Sequence, residues 1–146
     1  MVVRLSRCRL GRVFPALILR RCACLCSPPC RRFSPTLSRS AAQHPRRDEF
    51  CVVFVSADRD EPAMRTFVQG KQFVSVRFDA DARRQISSTM GVSMYPSLFV
   101  VNPQTGDTLT RWGTSLLTRE GAIDSWLRGE SGESKQLLRR IFSPEH

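Results

Sequence analysis

Apolar residues in the last two thirds of the chain form short runs with the length of β-strands. Cys51–Val55 is apolar without interruption and ends at a turn-like Ala57–Asp60 segment, which is typical of a strand covered on both faces. Phe73–Phe78 alternates apolar and polar residues, as a half-buried strand does. The predicted strands are Phe50–Ser56, Phe73–Phe78, Ser97–Val101 and Thr108–Trp112, the last two joined by a turn at Asn102–Gly106.

The segments between and after these strands have apolar residues at the spacing of an α-helix. Met64, Phe67 and Val68 give a helix from Glu61 to Gly70 one apolar face, and Glu61-Pro62 suits its first turn. The other two predicted helices run from about Asp81 to Met90, with Gly91 as the cap, and from Thr118 to Arg128, with Ile123, Trp126 and Leu127 facing inward. The order strand, helix, strand, helix, hairpin, helix predicts one α/β domain within 146 residues.

Charge divides the chain at residue 47. Residues 1–47 hold eleven Arg and no acid, whereas the remainder is nearly neutral, and the net charge is +10. An Arg-rich N-terminus without acids is typical of a mitochondrial presequence. The alternatives are a non-targeting basic arm or a poorly defined translation start, in a cytoplasmic protein. A near-neutral domain does not favour nucleic acid as a partner. No run reaches the ~18 apolar residues of a membrane span.

Five of the six cysteines lie within the first 30 residues. The cluster from Cys22 to Cys30 could bind a soft metal, but it lacks Cys-X-X-Cys spacing and a matching second pair, so we expect neither a metal nor another cofactor. Cys51 lies in an apolar run and is interpreted as an inert core thiol. His44 and His146 have no acid or thiol near them in sequence, so no catalytic role is expected. Trp112 and Trp126 are interpreted as packing residues.

The segment Cys26–Arg31 reads Cys-Ser-Pro-Pro-Cys-Arg. It resembles the Trp-Cys-Pro-Pro-Cys-Arg motif of tryparedoxins and nucleoredoxins in the thioredoxin-like superfamily. Aligned on Pro28 and Pro29, Cys30 takes the place of the resolving cysteine and Ser27 that of the nucleophilic one. A cysteine at that place becomes a thiolate near neutral pH, but a serine hydroxyl does not. The resemblance therefore implies thiol–disulfide exchange, weakened by the missing nucleophile.

Cys26 is a candidate substitute for the missing nucleophile. Together with Cys30 it forms a Cys-X-X-X-Cys pair, in which one extra residue changes the separation of the two sulfurs. Because disulfide geometry is narrow, this spacing argues against efficient pairing.

A second part of the resemblance lies at Gly91–Leu98, which reads Gly-Val-Ser-Met-Tyr-Pro-Ser-Leu. In the family a similar segment carries a cis-proline that faces the redox cysteines, so the resemblance implies that Tyr95 and Pro96, with Pro28 and Pro29, shape a substrate groove. The alternative is an ordinary trans proline at the start of a strand. With further matches at Phe50–Asp60, Phe73–Phe78 and Asn102–Gly106, the resemblance covers residues 26–128 and implies a central mixed sheet flanked by helices.

Two features depart from the family pattern. The expected first strand, Leu17–Leu25, contains Arg20 and Arg21, and unpaired buried charges are costly, so this strand is expected to be shifted or absent. The helix Arg31–Gln43 has an apolar stripe at Phe33, Leu37 and Ala41 but contains Pro35 and several serines.

Cleavage near residue 40 would remove Cys30, so a mitochondrial presequence and a redox site are compatible only if the presequence is short. We therefore expect a presequence or basic arm at 1–14, a thioredoxin-like domain at 15–128, supported most strongly at 48–128, and a polar linker with an amphipathic tail at 129–146.

The sequence leaves two functions open. One is thiol–disulfide exchange with protein disulfides or a thiol reductant. The other is a non-catalytic domain that binds a protein partner through the groove around Pro96. The retained Pro-Pro-Cys-Arg segment favours the first function, and Ser27 favours the second.

Overall fold

A five-stranded sheet organises the chain. The computed structural model describes residues 16–21, 28–79, 81–102 and 105–131. The strands are β1 (Ala16–Arg21), β2 (Cys51–Ser56), β3 (Phe73–Ser75), β4 (Ser97–Val101) and β5 (Thr108–Thr110). The helices are α1 (Pro28–Gln43), α2 (Glu61–Val68), α3 (Asp81–Met90), α4 (Gly113–Leu116) and α5 (Ala122–Leu127), with a 3₁₀ turn at Arg47–Glu49.

The strands lie in the order β3-β2-β1-β4-β5. β1, β2 and β3 are parallel, whereas β4 runs antiparallel to β1 and to β5. The predicted mixed sheet flanked by helices is confirmed.

β1 is the central strand, which corrects the expectation that the two arginines displace it. It pairs with β2 along its whole length and with β4 from Ala16 to Arg20. Arg20 and Arg21 are its last two residues, so they stand where the strand leaves the sheet rather than in its middle. Two arginines at the end of a central strand do not require charge in the middle of the sheet.

Alternation along β2 divides the core between the two faces of the sheet. Val52 and Phe54 belong to the larger cluster, and Val53 and Val55 belong to the smaller one. The larger cluster joins β2 and β4 to α1, α2, α4 and α5, and its members include Phe33, Leu37, Ala41, Met64, Leu98, Val100, Leu116, Ile123 and Trp126. The smaller cluster packs against Ala82 and Ile86 of α3.

α1 begins three residues before the predicted start. Pro28 and Pro29 occupy its first turn, where a proline needs no hydrogen-bond donor and its fixed φ suits a helix. The predicted apolar stripe is confirmed, since Phe33, Leu37 and Ala41 are all buried.

β2, α2, α3, β4 and β5 match their predicted positions to within two residues, although β5 ends at Thr110 instead of Trp112. Two other predictions were wrong in detail. β3 ends at Ser75 instead of Phe78. The predicted helix from Thr118 to Arg128 begins only at Ala122, because Gly121 adopts a left-handed conformation with φ of 73° immediately before α5, and α4 at Gly113–Leu116 was not predicted. Ile123 and Trp126 are buried as predicted, whereas Leu127 is half-buried.

Trp112 and Cys51 also differ from their predicted environments. Trp112 is 43% exposed rather than packed in the core, because β5 ends two residues before it. Cys51 is half-buried at the first position of β2, at the border of the smaller cluster.

Several predictions fall outside the described residues. These concern the presequence at 1–14, the side chains of Cys26 and Ser27, most of the cysteine cluster, residues 103–104 of the hairpin turn and the tail from 132 onward. Mitochondrial import therefore stays a prediction. Within the described residues, no helix has the length and apolar character needed to cross a bilayer.

Candidate redox site

The register of β1 shows where the cysteine segment leaves the sheet. Arg21 lies opposite Ser56 of β2, and Arg20 lies opposite Ser97 of β4. Pro96 immediately precedes Ser97 in the chain. The segment that leads from β1 to Cys30 therefore starts between the end of β2 and Pro96, an edge of the sheet that we call the redox edge.

Cys30 is the third residue of α1 and its side chain is fully buried, with 0% exposure. Phe33 and Leu37, one and two turns further on, continue the same buried face. Pro28 and Pro29 are exposed. Cys30 forms no disulfide with any other residue that the structure describes.

The Pro96 segment has a defined backbone geometry. The Tyr95–Pro96 peptide bond is cis, in the conformation that the resemblance implied for this position. Thr114 of α4 stabilises the segment through two hydrogen bonds: its hydroxyl accepts from the N–H of Leu98 at 3.0 Å and donates to the carbonyl of Pro96 at 3.3 Å. Thr114 thus positions the start of β4, and sequence analysis missed it.

Large apolar side chains are exposed around Pro96. Met94 is 69% exposed, Tyr95 39% and Trp112 43%. Trp112 immediately precedes Gly113, which approaches Leu98 closely, and Thr114, whose hydroxyl donates to the carbonyl of Pro96. We call the surface formed by Met94, Tyr95, Pro96 and Trp112 the Pro96 groove.

Buried polar groups lie at the end of β2, on the other side of the exit from β1. Ser56 is 1% exposed and Asp58 is 6% exposed. The Ser56 hydroxyl donates to Oδ2 of Asp58 at 2.6 Å and accepts from the N–H of Asp58 at 3.0 Å. Nη1 of Arg83 donates to the carbonyl of Asp58 at 3.1 Å. The sequence predicted only a turn here.

His44 lies at the opposite end of α1 from Cys30, about 21 Å away at the rise of ~1.5 Å per helical residue. Its Nδ1 accepts from the N–H of Arg46 at 3.1 Å, and its Nε2 lies 3.4 Å from Oδ1 of Asp124. Asp124 is an acid that the sequence did not place near His44. Because both ring nitrogens have partners, this pair is not arranged as a base for a nucleophile.

Exposed arginines in several places pair with carboxylates. A hydrogen bond from Arg77 holds the pKa of the Asp79 carboxyl below its ordinary value, and Arg46 acts in the same way on Glu49. Among the described residues, no group of acids, histidines and cysteines is arranged to hold a metal ion.

Comparison with known proteins identifies the fold and the family. The sequence model of the thioredoxin-like family matches residues 17–107, more than half of the chain. The chain belongs to the thioredoxin-like family. The match begins in β1 and ends just before β5, so it includes Cys30 and Pro96.

Nucleoredoxins are the curated relatives. Mouse nucleoredoxin is 33% identical over 88 residues, which are 59% of this chain and 20% of that protein. Human nucleoredoxin is 31% identical over the same length. The chain therefore spans about a fifth of the length of the nucleoredoxins it matches.

Solved tryparedoxins share the fold. Tryparedoxin II complexed with glutathionylspermidine superposes with a TM-score of 0.68 at 17% identity, covering 77% of this chain and 78% of that one. Tryparedoxin I from Leishmania major gives 0.65 at 19% identity, covering 91% and 81%. These agreements confirm the thioredoxin-like fold.

The structure describes only part of the predicted site of this thioredoxin-like domain. Pro28, Pro29 and Cys30 lie in the first turn of α1, and Tyr95 and Pro96 lie immediately before β4, next to the partner of Arg20. Cys26 and Ser27 lie outside the described residues. Trp112, Thr114 and Asp58 are additions that the sequence did not indicate as site residues.

Proposed function

We propose that this thioredoxin-like chain takes part in thiol–disulfide exchange with low turnover, with Cys30 as the resolving thiol and Cys26 as a substitute nucleophile. The observation that carries the proposal is the full burial of Cys30 in the first turn of α1, in a chain whose Tyr95–Pro96 bond is cis. The family match and the nucleoredoxin relatives support a redox role.

The burial of Cys30 restricts its chemistry. A sulfur with no exposed surface does not reach a disulfide on another protein, so it can serve only in a step within the chain. An external disulfide must first be attacked by another thiolate. Ser27, at the usual position of that thiolate, has only a hydroxyl, and this is why we propose Cys26 and low turnover.

The proposed reaction has two exchanges. The Cys26 thiolate attacks one sulfur of the substrate disulfide, so a mixed disulfide forms and the other substrate sulfur leaves as a thiolate. The Cys30 thiolate then attacks the Cys26 sulfur, and the second substrate thiolate leaves. Two electrons pass to the substrate and the chain is left with a Cys26–Cys30 disulfide, which an external thiol reductant returns to two thiols.

The test is the reduction of an insulin-type disulfide substrate by the purified chain with a thiol reductant. Cys26→Ser and Cys30→Ser should each reduce the rate above background by roughly tenfold or more, because each removes one of the two exchanges. Cys51→Ser is the matched control and should leave the rate unchanged. Cys51 is the first residue of β2, at the opposite end of that strand from Ser56 and the redox edge.

A wild type as inactive as both variants would contradict the exchange reaction.

The second candidate function is the binding or assembly of a protein partner, and it is favoured by the exposed apolar side chains near Pro96. The exposed Met94, Tyr95 and Trp112 around Pro96 offer an apolar surface of the kind that protein contacts use. In that case, Trp112→Ser should weaken retention of the partner in a chain whose thiols have been blocked.

A further inference from the structure

A cavity lies between the end of α1 and the start of α5, on the face of the sheet that carries the larger core cluster. Its volume is about 290 Å³, just below the range of small-molecule sites. Its floor is apolar and consists of members of the larger cluster, Leu117, Ala122 and Ile123. We call it the α1–α5 pocket.

Two charged side chains stand at the rim of the α1–α5 pocket. Oδ1 of Asp124 lies 3.4 Å from Nε2 of His44, but the Asp124 side chain is 45% exposed, so the carboxylate can accept a further cation. Arg119 is exposed and pairs with no carboxylate in the described part of the chain. The rim thus offers one negative and one positive contact beside an apolar floor.

The chain turns back at the end of α5. Gly129 adopts a left-handed conformation with φ of 80°, and its N–H donates to the carbonyl of Trp126 at 3.0 Å. The N–H of Glu130 donates to the carbonyl of Ser125 at 2.9 Å. These two bonds form a Schellman motif. Because Glu130 is bonded to the last turn of α5, the chain that follows lies beside the helix and does not continue along its axis.

Trp126 fixes the direction of this reversal. Its indole Nε1 donates to the carbonyl of Ser131 at 3.2 Å, and its side chain is buried. Side chains of a helix point toward its N-terminus, so this bond places Ser131 alongside the turn that precedes Trp126. That turn contains Ala122 and Ile123. The described chain therefore ends beside the part of α5 that supplies the pocket floor.

The sequence after Ser131 supplies an apolar segment at a matching distance. Residues 132–146 lie outside the described residues, and their large apolar members have the spacing of one helix face: Leu137, Leu138, Ile141 and Phe142. The linker 132–136 spans at most ~17 Å, whereas α5 is ~9 Å long at its usual rise per residue. The first two apolar residues can therefore reach the pocket without full extension of the linker.

We propose that the α1–α5 pocket binds the chain's own C-terminal segment, with the side chains of Leu137 and Leu138 on its floor. A pocket of this volume is small for a cofactor but suits a pair of aliphatic side chains. Ile141 and Phe142 follow at helical spacing, like the anchors of an amphipathic helix that binds an apolar groove.

The charges of the linker match those of the rim. Residues 132–136 carry one acid, Glu133, and one base, Lys135. Arg119 has the opposite sign to Glu133, and Asp124 has the opposite sign to Lys135. Exposed ion pairs contribute little energy. The apolar contacts therefore supply most of the affinity, and the charges favour one direction of the linker across the rim.

Nuclear Overhauser effects between methyl groups test the contact directly in the full chain. We expect them between Leu137 or Leu138 and the methyl groups of Leu117 and Ile123. Val76 is the matched control, because it is similarly buried but belongs to the smaller cluster on the other face of the sheet. Its methyl groups should show no contact with the C-terminal segment.

A pair of substitutions tests whether the apolar side chain is the anchor. Leu138→Glu places a charge against the apolar floor and should abolish the contacts between Leu137 and Ile123. Gln136→Glu adds the same charge to the linker and should leave those contacts intact. Neither change removes a side chain from the described core, so both variants should fold.

A mixture of labelled and unlabelled chains separates contacts within one chain from contacts between two. We expect all contacts to arise within one chain and to persist on dilution. Three results would overturn the inference: no contact between the segment and the pocket, contacts only between two copies, or equal contacts in the Leu138→Glu and Gln136→Glu variants. Disulfide reduction does not enter this test, because the pocket lies at the opposite end of α1 from Cys30.

Discussion

The sulfur of Cys30 shows how the position of one residue limits its chemistry. It belongs to the buried face of α1, on the N-terminal side of Phe33 and Leu37, whereas Pro28 and Pro29 are exposed to solvent. A thiol in this position can resolve a mixed disulfide formed nearby but cannot begin one with a large substrate. The rate of the proposed reaction is therefore limited by the lack of a nucleophilic sulfur at position 27, where Ser27 has a hydroxyl.

Asp60 illustrates a residue whose role is purely local. It is the N-cap of α2, and its Oδ1 accepts from the N–H of Ala63 at 2.8 Å. Asp60→Ala should lower the free energy of unfolding by about 1 kcal/mol, because a helix N–H loses its partner. Urea denaturation measures this, with Asp60→Asn as the control that keeps the cap. Equal stability of the Ala and Asn variants would show that the cap does not matter.

At the level of elements, the contact between α4 and β4 positions the Pro96 segment. Thr114 bridges Pro96 and Leu98, and the neighbouring Gly113 allows the two elements to approach. A Cβ at Gly113 would lie 2.7 Å from the Leu98 carbonyl oxygen and 2.9 Å from Leu98 Cγ. Both distances are too short for non-bonded atoms, so a glycine is required there.

Gly113→Ala should therefore destabilise the fold by about 1–3 kcal/mol, because β4 or α4 must move to admit the methyl group. Thermal unfolding followed by circular dichroism is the measurement. Ser115→Ala, an exposed change in the same helix, should stay within ~0.5 kcal/mol of the wild type. If the two variants unfold at the same temperature, the close approach does not constrain the Pro96 segment.

Elements with an uninterrupted pattern were predictable from the sequence. The apolar run of β2, the apolar face of α2 and the Gly91 end of α3 gave bounds near those observed. The position of β1 was not predictable from the cost of burying charge, because that cost applies to the middle of a central strand and Arg20 and Arg21 are its last two residues. The start of α5 at Ala122 depends on the left-handed backbone of Gly121, which an apolar pattern does not encode.

At the level of the whole molecule, the redox edge is assembled from distant parts of the chain. Around the exit of β1 it combines the end of β2, to which Arg83 of α3 is hydrogen-bonded, and the segment before β4, to which Thr114 of α4 is hydrogen-bonded. Pro96 was predictable through the family resemblance. The Thr114–Pro96 and Arg83–Asp58 hydrogen bonds join residues 18 and 25 positions apart, and no periodic signal in the sequence predicts such pairs.

Restoring the missing sulfur tests the central claim, that the chain keeps a working thioredoxin-like frame and lacks only an efficient nucleophile. Ser27→Cys recreates a Cys-X-X-Cys pair with Cys30, and Ser27→Ala is the matched control without a sulfur. We predict that insulin-type disulfide reduction by Ser27→Cys rises on the order of tenfold or more above wild type, because a thiolate replaces a hydroxyl. The Ala variant should match the wild type. A Ser27→Cys protein that is folded but no faster than Ser27→Ala would contradict the account.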